Sequence, residues 1–129
     1  MKLSIVVGAN GFLGSNLVNK LLQNDNEVIA VYNSNYESIN KKAKIVTVNE
    51  ALNLSDNPNC IYFLSGNYTY NHESLIEINE DLIKFCKKFP NAKIIYISST
   101  NVYGANDEVL SETSAFKNPG LYGLSKLSG

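Results

Sequence analysis

The stretch MKLSIVVGANGFLG limits the fold of this chain more than any other. An apolar run, KLSIVV at residues 2–7, stops at Gly8, and Phe12, Leu13, Leu17, Val18, Leu21 and Leu22 then recur at helical spacing. The order is strand, glycine turn, helix. A second apolar run, EVIAVY at 27–32, follows a polar turn and completes a β-α-β start.

Beyond a polar loop at 33–40, KIVTV at 44–48 is short and β-branched and predicts a third strand, so that the second helix is weak or missing. CIYFLS at 60–65 predicts a fourth. A loop carrying Tyr68, Tyr70 and His72 leads into a helix over about 73–89, whose apolar face draws on Leu75, Ile76, Ile78, Leu82, Ile83, Phe85 and Phe89 and which Pro90 stops. KIIYISS at 93–99, apolar almost throughout, predicts a fifth strand of the kind covered on both faces. Residues 103–119 are turn-rich, and a last helix starts near Leu121. The alternation predicts one α/β domain over 1–129, a Rossmann-like doubly wound parallel sheet of about five strands in order 3-2-1-4-5.

In GANGFLG the glycines fall at 8, 11 and 14, between strand and helix. The first permits a tight turn, the second admits a pyrophosphate close to the backbone, and the third lets helix and strand pack closely. Free N–H groups at the helix start then face the phosphates. Gly8, Asn10, Gly11, Phe12, Leu13 and Gly14 are therefore the expected dinucleotide-binding turn, the alternative being a tight turn of no further function. A ribose-binding acid normally stands about 20 residues further on. Here the second strand ends in Tyr32, Asn33 and Ser34. No carboxylate there repels a 2′-phosphate, so the expected cofactor is NADP or NAD, with NADP slightly favoured. With no Arg in the chain, a phosphate clamp falls to Asn33, Ser34 and Lys41 or Lys42.

Composition narrows the partners. The formal net charge is −1 and all 11 basic residues are Lys, which gives no electrostatic reason to expect nucleic acid or an anionic membrane. No apolar run approaches the roughly 18–20 residues of a membrane span, and no signal-peptide cleavage site follows MKLSIVV, so a cytoplasmic location is expected. Cys60 and Cys86 lack metal-ligand spacing and are expected to be buried free thiols, with no metal site. The sequons at Asn53 and Asn67 read as chance matches in an Asn-rich chain.

ISSTNVYG at 97–104 ends the fifth strand, where open α/β sheets place ligand-binding groups. Tyr122 and Lys126 follow, one helical turn apart. A lysine cation beside a tyrosine lowers the phenol from its ordinary value near 10 toward usefulness as an acid–base group. Tyr122 could then exchange a proton with a substrate hydroxyl or carbonyl, with Ser99 bonded to the same oxygen. Alone, such a pair is also what a plain surface helix shows.

Taken together, GANGFLG, ISSTNVYG and YGLSK resemble the extended short-chain dehydrogenase/reductase family of NAD(P)-dependent sugar-nucleotide epimerases, dehydratases and reductases, over essentially the whole chain. The resemblance implies Ser99, Tyr122 and Lys126 as catalytic residues, with Tyr122 and Lys126 also meeting the cofactor. Asn79 matches an asparagine that helps set the active-site geometry, or is an exposed helix residue. Thr100 and Asn101 replace the acidic pair of family dehydratases, which disfavours water elimination, and Asn49 stands where an Asp often contacts adenine. The implied activity is an epimerase or ketoreductase of a nucleotide-activated sugar; the alternative is a non-catalytic dinucleotide-binding or assembly module. Members of the family are about twice as long, so the chain is expected to be the N-terminal portion of an enzyme. It would then lack the substrate domain, be inactive alone and leave the fifth strand as a sheet edge. Homo-oligomerisation through the helices at 73–89 and after 121 is left open.

Overall fold

The computed structural model describes residues 1–66, 71–105 and 107–129; Asn67, Tyr68 and Tyr70 lie outside the described residues. In chain order the elements are β1 (Leu3–Val7), α1 (Phe12–Gln23), β2 (Glu27–Tyr32), β3 (Lys44–Thr47), α2 (Val48–Leu52), β4 (Cys60–Phe63), α3 (His72–Lys88), β5 (Lys93–Tyr96), a 3-10 helix (Thr100–Tyr103) and α4 (Leu121–Ser128). The strands form one parallel sheet in the order β3-β2-β1-β4-β5. This is the Rossmann-like order expected from the sequence.

The chain packs as two compact units, residues 1–65 with 81–96 and residues 66–80 with 97–129. The first holds the sheet. On one face Val6, Val28 and Ala30 pack with Val18 and Leu21 of α1, and Ile39 closes the cluster from the loop after β2. On the other, the Phe63 ring meets Phe85 of α3 and Tyr96 of β5, each at 6.3 Å between centroids. Ile5, Ile29 and Ile61 are fully buried. Two covered faces explain why the central strands are apolar at successive positions.

The register aligns Val7 with Val31 and Phe63, and Phe63 with Tyr96, so the central strands end at one level. Strand order reverses between β1 and β4, and at that point Gly8 and the Leu64–Ser65 backbone leave the sheet side by side.

Several expectations are corrected. The fifth strand ends at Tyr96 rather than residue 99, because Phe63 is the last residue of β4 that pairs with it. β5 forms one edge of the sheet. The third strand stops at Thr47, whose hydroxyl and Glu50 form a capping box that starts the five-residue α2. On α3, Leu75, Leu82 and Phe85 are buried, but Ile76 and Ile83 face solvent. Cys60 is only half-buried and Cys86 is exposed, so neither is the buried thiol expected. Among the described residues no helix is long and apolar enough to cross a membrane.

Candidate functional site

The glycine turn belongs to the first unit. Gly8 sits at φ +85°, in the left-handed region, and a Cβ on it would lie 2.9 Å from the Ser65 nitrogen. Its N–H and that of Ala9 both donate to the Val31 carbonyl at 3.0 Å, which fastens the turn to β2. A Cβ on Gly14 would lie 2.8 Å from the Ala9 Cα, so the first turn of α1 can approach the glycine turn only without a side chain. Gly11 differs from both. Its φ of −77° suits any residue, and a Cβ there would meet only the Gly8 oxygen, at 3.4 Å. The fold's own packing accounts for Gly8 and Gly14 and leaves Gly11 unexplained.

Gly11 is also the N-cap of α1, and no side chain caps the helix there. The first-turn N–H groups therefore keep the donor capacity that a cap would use. Phe12 and Leu13, expected to contribute to the helix's apolar stripe, are 85% and 60% exposed instead. They flank the turn rather than fill the core.

At the end of β2, Tyr32 is half-buried, and Asn33 and Ser34 are exposed. The Asn10 side-chain amide reaches the Ser34 hydroxyl at 3.4 Å, and the Ser38 hydroxyl donates to the Asn10 carbonyl at 3.3 Å. The rings of Tyr36 and Tyr32 make a T-shaped contact, with centroids 5.1 Å apart. Sequence reasoning passed over Tyr36 and Ser38 because the loop read only as polar. Asn49 is exposed in the first turn of α2, and Lys41 and Lys42 are exposed.

The second unit holds the proposed acid–base residues. Tyr122 and Lys126 project from one side of α4 and are 5% and 6% exposed. Both tips converge on one backbone position: a Cβ on Gly66 would lie 3.7 Å from the Lys126 Nζ and 3.8 Å from the Tyr122 hydroxyl. Lys126 Nζ also stands 5.8 Å from the centre of the Tyr122 ring. Burial pushes the Lys126 ammonium below its ordinary value, because desolvation penalises the charged form.

Neighbouring elements hold α4 in place. The Asn79 side-chain amide donates to the Ser125 carbonyl at 2.9 Å, tying α3 to the residue before Lys126, while its Oδ1 is buried without a hydrogen-bond partner among the described residues. Gly123 lets the 3-10 helix close on α4, since a Cβ there would lie 2.9 Å from the Asn101 carbonyl carbon. Sequence reasoning missed Gly123, although a glycine inside a helical pattern is a signal of close approach. Ser99 caps the 3-10 helix: its hydroxyl accepts from the Asn101 N–H at 3.2 Å and donates to the Asn101 Oδ1 at 3.3 Å. Tyr122, Lys126 and Gly66 are thus brought together, whereas the Ser99 hydroxyl is turned to Asn101.

The sequence profile of the NAD dependent epimerase/dehydratase family matches residues 4–129. The chain belongs to that family. An inferred UDP-glucose 4-epimerase of Methanocaldococcus jannaschii is 28% identical to it over 145 aligned positions, which span 97% of this chain and 48% of the relative. Two solved structures share its fold. The UDP-glucose 4-epimerase of Thermotoga maritima with UDP-glucose superposes with TM-score 0.81 and 24% identity, covering 99% of this chain and 48% of that one. The dTDP-glucose 4,6-dehydratase of Bacillus anthracis in complex with NAD gives TM-score 0.81 and 20% identity over the same shares. The chain therefore spans about half the length of these relatives.

An NAD dependent epimerase/dehydratase needs a cradle for a dinucleotide, and the glycine turn fits one. Gly11 is a position at which a Cβ would meet only the Gly8 oxygen, at 3.4 Å, beside uncapped first-turn amides, the approach a pyrophosphate requires. Asn10, Phe12 and Leu13 surround it in sequence, and Tyr32 ends the neighbouring strand, with Asn33 and Ser34 directly after it.

Proposed function

We propose that the chain carries the dinucleotide-binding turn and the acid–base residues of an NAD(P)-dependent epimerase or ketoreductase acting on a nucleotide-activated sugar. The observation that carries this reading is the convergence of the buried Tyr122 hydroxyl and Lys126 Nζ on Gly66. Gly8, Gly11 and Gly14, with Asn10, Phe12 and Leu13, hold the pyrophosphate; Tyr32, Asn33 and Ser34 stand toward the ribose. The bound nicotinamide supplies the exchange of hydride with a carbon of the sugar. Tyr122 takes the proton of the hydroxyl on that carbon as a ketone forms, and returns it when the alcohol is restored. The Lys126 ammonium beside it favours the phenolate. Ser99 bonds the same oxygen after its hydroxyl turns from Asn101. Asn79 positions α4 through Ser125, and Thr100 and Asn101, lacking carboxylates, argue against elimination of water.

NADP is favoured slightly over NAD, because Tyr32, Asn33 and Ser34 include no carboxylate to repel a 2′-phosphate. One observation favours a second reading, a dinucleotide-binding or assembly module without turnover: the Ser99 hydroxyl is bonded to Asn101. Both readings are tested with UDP-glucose, the sugar nucleotide of the Thermotoga structure. Epimerisation or oxidation is expected of the full-length protein that carries this chain, with a nicotinamide cofactor, and Tyr122→Phe in it should lower kcat by about 10²-fold or more. Equal turnover by the Phe variant overturns the role of Tyr122. Dinucleotide binding without turnover supports the second reading.

A further inference from the structure

The loop after β2 offers a ring shortly beyond the strand end, where a ribose-binding carboxylate would be expected. Tyr36 lies four residues beyond the strand end and is 55% exposed, yet the segment around it is held at several points. Ile39 is buried in the core, and its N–H donates to the Tyr36 carbonyl at 3.1 Å, closing a turn over Tyr36–Ile39. The Ser38 hydroxyl bonds the Asn10 carbonyl of the glycine turn, and the Asn40 amide donates to the Asn19 Oδ1 of α1 at 2.8 Å. Tyr32 braces the Tyr36 ring in a T-shaped contact, with an interplanar angle of 63°. Two large aromatic groups fastened to a phosphate cradle, one of them open to solvent, form a platform rather than a free loop. Holding the ring in place before binding reduces the ordering cost of a contact.

We propose that Tyr36 is a cofactor-binding residue that takes the adenine of the dinucleotide by stacking, with Tyr32 packed against it as support. The proposal rests on the dinucleotide-binding reading above. A purine meets an aromatic face without regard to the substituent on its ribose, so recognition through Tyr36 grips NADH and NADPH alike. In this chain the hold on the adenosine end therefore depends on a ring and not on a carboxylate.

Isothermal titration of the chain and of its Tyr36→Ala and Tyr36→Phe variants with NADH, NADPH, 5′-AMP and nicotinamide mononucleotide tests this. Tyr36→Ala should weaken NADH, NADPH and 5′-AMP by a common factor of about ten, within the range that loss of one base-on-ring stack produces. Tyr36→Phe should keep wild-type affinity, and nicotinamide mononucleotide should not distinguish the three proteins. Thermal melting without ligand should coincide for Tyr36→Phe and wild type and fall slightly for Tyr36→Ala, which loses the ring contact with Tyr32. Unchanged NADH and NADPH affinity in Tyr36→Ala, or a loss confined to one of the two, overturns the role of Tyr36 while the dinucleotide site stands. Loss in Tyr36→Phe overturns stacking in favour of the hydroxyl. A wild-type chain that binds neither dinucleotide overturns the underlying reading and the proposal with it.

Discussion

At Gly14 a Cβ would sit 2.8 Å from the Ala9 Cα, whereas at Gly11 its nearest neighbour would be 3.4 Å away. The two glycines look alike in sequence and have opposite reasons to be there. Gly14→Ala should destabilise the protein by about 1–3 kcal/mol, the usual cost of forcing a methyl into closed packing. Gly11→Ala should cost at most about 1 kcal/mol, the scale of an N-cap change. It should nevertheless weaken NADH and NADPH at least about tenfold, a loss of about 1.4 kcal/mol of binding. Urea unfolding and titration of both variants check this. Equal stability losses with equal affinity would remove the distinction and the pyrophosphate role of Gly11.

Among the elements, α4 combines a local pattern with a non-local consequence. The four-residue spacing of Tyr122 and Lys126 was legible because it depends only on helical period. Their burial was not, because it comes from elements elsewhere in the chain. Burial holds the Lys126 pKa below its ordinary 10.5, so the folded state binds fewer protons than the unfolded state between the depressed value and 10.5. Stability from this group is therefore fully present above 10.5 and is lost as pH falls through the folded value. Lys126→Met removes the penalised charge. Its stability relative to wild type should be greatest near neutral pH and should shrink as pH rises toward 10.5, as measured by urea unfolding of both proteins across that range. A difference independent of pH would mean that the ammonium is not penalised in the folded protein. In α1 and α3 the helical period was right and the inferred stripe too wide: Phe12, Leu13, Ile76 and Ile83 face solvent. Periodicity reports which residues share a side of a helix, but not how much of that side a neighbour covers.

For the whole molecule, the parallel sheet and its order follow from a few chain rules applied to alternating strands and helices. A ligand on the glycine turn should act on that sheet as a unit, since Gly8 joins β1 to the Val31 carbonyl of β2 and touches the backbone leaving β4. NADH or NADPH at about 100 times its Kd should add about 2.7 kcal/mol to the stability of the folded state. Differential scanning fluorimetry with increasing dinucleotide should show Tm rising with concentration. A Tm insensitive to both would contradict binding at the turn.

By itself the sequence determined what short-range physics can specify. Hydrophobic period separated strands from helices, the glycines marked the first turn, and one helical turn related Tyr122 to Lys126. Only the tertiary structure decided which glycine the fold does not need, that Gly66 meets the tips of Tyr122 and Lys126, that Gly123 admits the 3-10 helix, and that Ser99 spends its hydroxyl on Asn101. It also turned a polar loop into a braced Tyr36. Most of these facts depend on backbone and side chains distant in sequence meeting within a few ångströms, and even the short-range bond of Ser99 depends on a chosen rotamer. Close packing fixes such details once the elements dock, and residue order alone does not express them.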